Sequence, residues 1–392
     1  MTHRIASIDI LRALIMVLMI FVNDLWSLRD IPVWLEHTEA NEDGMGLADI
    51  VFPAFLFIVG MSLPFAIRAR VRKGESTRAI LGHIALRTTA LIIMGLFLVN
   101  GESINEEATR MSRLTWNVLS CLAFVLIWNS YPSTWNSALV KMLKGVGIIM
   151  LVVLAFQYRG GDPDTYRFTT HWWGILGLIG WSYLVSATLL VLAKNNLWWT
   201  VGLCVTFHVI CMLYHARLLT ADVFSVILSP LQTGGAPALT LGGAAVALLY
   251  LRVRDHKSGD RKLMMMCIAI TIVFIVSGLI ANRFWIISKI LATPPWILLC
   301  SGITILIFVI VFYVADVRNN QRAFALIKPA GTNTLMCYLL PYFLYAVVAV
   351  SGVVFPAFML TGIIGLVKSF LFALLVTVVA GWCERMNIQL KL

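Results

Sequence analysis

The residues of this sequence that could do chemistry gather around its first two apolar runs. Ser7-Ile8-Asp9-Ile10-Leu11-Arg12 opens the first run and Phe21-Val22-Asn23-Asp24 closes it. His37 stands in the loop that follows, and Leu47-Ala48-Asp49-Ile50-Val51-Phe52-Pro53 begins the second run. A short loop between antiparallel helices brings their ends together, so Asn23, His37 and Asp49 are expected to converge. Histidine suits general-base work near neutral pH because its unperturbed pKa lies there. A carboxylate such as Asp49 can fix the ring tautomer and stabilise an imidazolium, while the Asn23 amide can donate to a developing oxyanion. The bland alternative is a loop histidine among acidic neighbours. Asp9 and Arg12, at i and i+3, can pair on one helical face instead of standing alone in lipid.

Other polar residues are candidates for substrate contact. Arg68 and Arg72 belong to a basic stretch reaching Arg87 that could clamp phosphate through bidentate guanidinium geometry, although topology alone would also place cations there. His171-Trp172-Trp173-Gly174 opens a run with glycines at three-residue steps. His171 and Trp172 could line a sugar-binding rim, or the stretch could serve helix packing. Lys289 and Asn333 are polar groups near or inside a bilayer and are candidates on that ground. An interhelical hydrogen bond is the alternative for Asn333. Lys368 is expected to snorkel to an interface. His83, His208, His215 and His256 show no metal-ligand spacing with carboxylates and are assigned no role. The seven cysteines lie in or beside apolar segments with no CxxC pair, so core packing is expected, with neither metal nor disulfide.

The elements that must position these groups are membrane helices. Of 392 residues, 60% are hydrophobic and only 12% charged, which excludes a soluble fold. Runs of spanning length fall at 8–26, 47–67, 81–99, 114–130, 143–158, 173–193, 197–214, 236–251, 263–281, 295–315, 331–350 and 366–383. The first is too long for a signal-peptide core and lacks a cleavage site, so it is expected to remain. The reading is an all-α polytopic bundle of about twelve helices, or ten if the runs at 143–158 and 197–214 fail, in one membrane domain over 1–392. The net charge of +11 is explained by the positive-inside rule and not by nucleic acid. With the N-terminus inside, about 21 of the 30 Lys and Arg fall on the cytoplasmic side, which puts both termini there. The acidic residues, Asp24, Glu36, Glu39, Glu42, Asp43, Asp49, Glu102, Asp162, Asp164 and Asp222 among them, collect at the outer ends. No Asn-x-Ser/Thr acceptor occurs, which points to a prokaryotic source.

Ser7-x-Asp9-x-x-Arg12, Val22-Asn23, His37 and Ala48-Asp49-x-Val51-Phe52-Pro53-x-Phe55-x-Phe57 resemble the N-terminal membrane core of the heparan-alpha-glucosaminide N-acetyltransferase family. Lys289 with Trp296, Ala315-Asp316-Val317, and Gly331-x-Asn333-x-Leu335-x-x-Tyr338 resemble later parts of the same family. The resemblance implies a transmembrane acyltransferase of the bacterial inner membrane, with cytoplasmic acetyl-CoA as donor and an extracytoplasmic amino sugar or glycan as acceptor. It makes His37 the general base or acyl acceptor, with Asn23 beside it, and implies no metal. A homodimer is an open option. Ala13 departs from the family's glycine, Trp116-Asn117-Val118-Leu119-Ser120 replaces its Gly-Val-Leu-Gln-Arg stretch, and the loop from His37 to Asp49 is more acidic. An acidic outer mouth would suit a cationic amine. The competing function is a secondary transporter or flippase of a sugar or glycolipid, which helix count and intramembrane polar groups also fit.

Overall fold

The computed structural model describes residues 6–161, 166–172, 174–219, 231–254 and 259–392. Arg4, Asp162, Asp164, Trp173, Asp222, His256 and Lys257 lie outside them. Twelve long helices run through the described residues: α1 (Ala6–Asp24), α2 (Leu47–Arg72), α3 (Thr77–Glu102), α4 (Arg113–Trp128), α5 (Ser137–Gln157), α6 (Ile175–Leu192), α7 (Leu197–His215), α8 (Gly235–Val253), α9 (Gly259–Ala281), α10 (Pro294–Phe312), α11 (Thr334–Ser351) and α12 (Gly362–Arg385). Each answers to one of the twelve apolar runs. Eleven are long and apolar enough to cross a membrane, and α4, at 16 residues, is a shorter apolar helix. No named strand forms among the described residues. The protein is an all-α polytopic membrane bundle.

Local chemistry sets the helix ends. Ser76, Ser112, Asn136 and Asn196 accept hydrogen bonds from first-turn amides at the starts of α3, α4, α5 and α7. Pro294 and Pro295 open α10, where a missing N–H costs nothing. At the start of α1 the Ser7 amide donates to Asp316 Oδ2 at 3.0 Å, a carboxylate at the positive end of the helix dipole.

The inner helices are α1, α2, α8 and α10, and α5 and α7 keep most of their apolar surface outward. α2 packs on α8, α3 on α6, and α9 on α10. The α2–α8 contact needs glycine on both sides. A Cβ on Gly60 would run into the Thr240 carbonyl, and one on Gly243 into the Phe57 carbonyl.

Around the centre, α1, α2, α3, α6 and α11 enclose a cavity of ≈ 440 Å³. Arg12, Arg87 and Lys391 line one end. Met16, Met19, Phe55, Val59, Ile175 and Leu176 continue it toward the opposite end of the bundle, where the loop bearing His37 lies. On α1 the lining residues Arg12, Met16 and Met19 are spaced by four and three, one stripe of the helix. The next position on that stripe is Asn23, about 16 Å along the axis from Arg12.

Lys368 does not snorkel. Its Nζ lies 3.1 Å from the buried Asp24 carboxylate, which also accepts from Tyr345 at 2.8 Å and Ser369 at 2.6 Å. A cation that finds a buried carboxylate has no need to reach for the interface.

Candidate active site

The site is built on the first turn of α2. Asp49 is 1% exposed. Its Oδ2 accepts the Gly46 and Thr38 amides, both at 3.0 Å, and its Oδ1 lies 2.7 Å from His37 Nδ1. A buried carboxylate is tolerable when its lone pairs are taken up in this way. Because an ionised carboxylate only accepts, Nδ1 carries the ring proton and Nε2 keeps its lone pair. The His37 side chain is about half exposed, which leaves the ring accessible from solvent.

Two sequence features make this turn possible. Gly46, the residue before α2, passes so close to the Glu36 carbonyl that a Cβ there would collide with it. Pro53 lacks the amide that would bond the Asp49 carbonyl within the helix. The Trp296 indole N–H, from α10, donates to that carbonyl at 3.1 Å instead.

Lys289 joins the pair from the α9–α10 connection. Its Nζ is 3.1 Å from His37 Nδ1, 3.4 Å from Nε2 and 3.9 Å from Asp49 Oδ1. Near-equal distances to both ring nitrogens put the amine over the ring, not in line with the Nε2 lone pair. Burial pushes the Lys289 amine below its usual pKa, with Asp49 pulling the other way.

The two loops are stapled together. Asp43 accepts from the Ile287 amide at 2.7 Å and from Asn282, Gly44 donates to the Ile287 carbonyl, and Ser288 Oγ donates to the Ala40 carbonyl. Arg29 pairs its backbone with Leu360 and Gly362, tying the same loop to the start of α12.

Other expected site residues fall elsewhere. Asn23 is exposed near the end of α1 and hydrogen-bonds to neither His37 nor Asp49. Successive helix positions differ by about 100°, so Asn23 ends the cavity stripe while Asp24 turns into the bundle. Arg12 donates to Asp9 Oδ1 at 3.0 Å, Ser62 Oγ at 2.6 Å and the Gly331 carbonyl at 3.2 Å, and its side chain also lines the cavity. Arg68 and Arg72 do not line it, whereas Arg87 of the same basic stretch does. His171 and Trp172 precede α6, and Trp172 meets Trp181 edge-on at 5.4 Å. Burial lowers the His171 pKa. Asn333 is buried and donates to the Ile388 carbonyl at 3.1 Å, which makes it a tie between the start of α11 and the C-terminal segment. Gly46, Asp43, Ser288 and Lys391 were missed. Only the glycine carried a signal, its place just before a run that starts with a buried acid. Among the described residues no three His, Cys, Asp or Glu side chains form a metal-ligand group.

A polytopic helix bundle with a histidine, carboxylate and lysine cluster at one end and a basic-ended cavity from the other defines an integral membrane protein with an enzyme-like polar centre. The chain belongs to the family described as Domain of unknown function (DUF5009), whose model matches residues 4–229. It is also a relative of the heparan-alpha-glucosaminide N-acetyltransferases. It is 35% identical over 101 residues to the protein of that name from Homo sapiens, and 34% identical over 102 residues to that from Mus musculus. Each match covers 25% of this chain and 14% of the relative.

Proposed function

We propose that this protein is a transmembrane acyltransferase of a bacterial cytoplasmic membrane. It takes the acetyl group of acetyl-CoA from the cytoplasmic side and passes it to an amino sugar or related glycan on the other side. The observation that carries the reading is the 2.7 Å His37–Asp49 contact, with Asp49 buried and the His37 side chain half exposed, at the bundle end opposite the basic mouth of the cavity. The partial likeness to the two N-acetyltransferases supports the same chemistry.

Arg12, Arg87 and Lys391 provide charge for the donor's phosphates, and the apolar stripe of Met16, Met19 and Phe55 suits its thin acyl-bearing arm. At the far end, His37 Nε2 takes the proton of the attacking amine as the C–N bond forms and the C–S bond breaks. In the covalent variant the same atom first attacks the thioester carbonyl, carries the acetyl group, and yields it to the amine. Asp49 holds the Nδ1 proton and offsets positive charge on the ring in both. Lys289, over the ring, places a positive charge beside the carbonyl oxygen that becomes anionic. Asn23, at the outer end of the cavity stripe, has an amide to add a second donor.

Sidedness follows from the distribution of Lys and Arg and is open to labelling. All seven native cysteines are buried and unpaired, so single cysteines introduced at residues 41 and 74 would report with little background. In intact cells, a membrane-impermeant maleimide should label position 41 and spare position 74. The reverse pattern would overturn the orientation.

A further inference from the structure

Lys289 is held in place by the residues around it. Ser288 and Thr293 on either side are buried, and the Ser288 amide donates to Thr293 Oγ1 at 2.9 Å. Ser288 Oγ donates to the Ala40 carbonyl at 2.9 Å, and the Ala292 amide closes a turn on the Lys289 carbonyl at 3.0 Å. The lysine side chain is only 25% exposed, and its Nζ stands 3.4 Å from His37 Nε2. Its carboxylate partner, Asp49 Oδ1, is 3.9 Å away, at the limit for an ion pair. Lys368, by contrast, is 3.1 Å from its own carboxylate, while Lys73 and Lys141 are exposed.

An amine set over an imidazole that handles acetyl groups is a nucleophile in the wall of the site itself. The carbonyl carbon of an acetyl group on Nε2 lies in the ring plane, one bond from that nitrogen, and a nucleophile approaches a carbonyl from above its plane. Nζ is on that side. A side-chain movement of about a bond length brings it to the ~3–3.5 Å at which attack begins. Attack needs the unprotonated amine, and burial favours that form. Stabilising the oxyanion during transfer to a sugar needs the protonated one, so the two roles belong to different protonation states of Lys289.

We propose that Lys289 is a self-modification site: in the absence of an acceptor the protein moves the acetyl group of acetyl-CoA onto the Lys289 amine and so silences itself. The assignment rests on the acetyltransferase reading, which it extends from the sugar to the protein. In the step the Nζ–C bond forms and the C–Nε2 bond breaks, its electron pair returning to the ring. Nζ loses one proton, which passes through Nε2 to the coenzyme thiolate, so one thioester and one amine become one thiol and one amide. Where the acetyl group is still on the thioester, the C–S bond breaks instead and the proton takes the same path. The amide carries no charge. The cation over the ring is then lost, and the new acetyl group occupies the face that an acceptor amine must use.

Purified full-length protein incubated with acetyl-CoA and no sugar, then digested for peptide mass spectrometry, tests the proposal. Lys289 should gain an acetyl group at least tenfold faster than the exposed Lys73 and Lys141, and His37→Ala should slow that gain at least tenfold. Excess glucosamine should suppress it, since both amines draw on one acetyl group. Wild type preincubated with acetyl-CoA alone should lose at least tenfold in later transfer to glucosamine. Lys289→Arg, which keeps a cation but offers no such amine, should keep whatever rate it starts with. Should Lys289→Arg misfold, the peptide masses of wild type and His37→Ala still decide. An unmodified Lys289 in protein that acetylates glucosamine overturns the site and leaves the acetyltransferase standing. Equal acetylation of Lys289 in wild type and His37→Ala also overturns it, as direct chemical acetylation by the thioester. Acetylation of Lys289 that depends on His37, with no transfer to any sugar, supports the site and removes the sugar acetyltransferase. Neither product overturns both.

Discussion

Replacing Asp49 with asparagine keeps the shape of the side chain and takes away its charge. In the native protein the carboxylate accepts three hydrogen bonds, from His37 Nδ1 at 2.7 Å and from the Thr38 and Gly46 amides at 3.0 Å each. An amide has one oxygen to offer. If that oxygen faces His37, the NH2 group opposes two backbone N–H donors, each costing about 1–3 kcal/mol when left without an acceptor. If the oxygen faces the backbone, the NH2 group points at Nδ1 and drives the ring proton to Nε2. The second arrangement is the cheaper, so Asp49→Asn should fold with the imidazole in the wrong tautomer. A histidine base in that state loses about 10⁴-fold in kcat in the Ser-His-Asp enzymes. Here a loss of about 10³- to 10⁴-fold is expected, or about 4–5.5 kcal/mol of transition-state stabilisation. The KM for acetyl-CoA should stay within about threefold, because the cavity residues Arg12, Arg87 and Lys391 are untouched. Initial rates of acetyl transfer at saturating donor, with thermal midpoints in parallel, measure both. A folded Asp49→Asn protein working within tenfold of wild type would refute the assigned tautomer.

Gly46→Ala puts a methyl group into the Glu36 carbonyl. The resulting overpacking should cost about 1–3 kcal/mol, with kcat down about 10²-fold as His37 shifts from Asp49, and wild-type rates and thermal midpoint would count against the contact. Trp296→Phe removes the N–H that serves the Asp49 carbonyl and should cost about 1–3 kcal/mol. Adding Pro53→Ala supplies a helical N–H and should return much of that loss, so additive destabilisation in the double variant would rule out the exchange. Lys289→Met tests the buried amine. Burial holds the folded pKa of Lys289 below 10.5, so between the folded value and 10.5 the unfolded chain binds more protons and stability rises with pH. Below that window both states are protonated and the cost of burying the charge is present in full. The thermal midpoint of Lys289→Met, followed from pH 7 to 10.5, should lack this rise relative to wild type, and parallel curves would contradict it.

What could be foreseen from sequence was what is local. Twelve apolar runs became twelve helices because the bilayer length and the 3.6-residue period act on each segment separately. The His37–Asp49 pair was accessible for the same reason, with the partners 12 positions apart in one loop and one helix start. Lys289 could be marked as a polar residue in apolar surroundings, but its place over the His37 ring depends on a contact across 252 positions. The Asp24–Lys368 pair spans a still wider gap, and it was the unseen partner that made snorkelling the natural expectation. Asn23 was expected to converge with His37 and Asp49 because a short loop returns the two helix ends together, and it hydrogen-bonds to neither. Burial of Asp24 fixes the rotation of α1 and leaves Asn23 on the cavity stripe. The cavity itself has no local signal, since five helices each contribute a few residues to it.

The central claim is that His37 moves an acetyl group. Purified protein in lipid vesicles, given radiolabelled acetyl-CoA and glucosamine, should place label on the sugar, and His37→Ala should lose at least 10³-fold in kcat while still binding acetyl-CoA. Equal transfer by the two proteins, or no transfer by wild type to any amine or glycan acceptor, would contradict it.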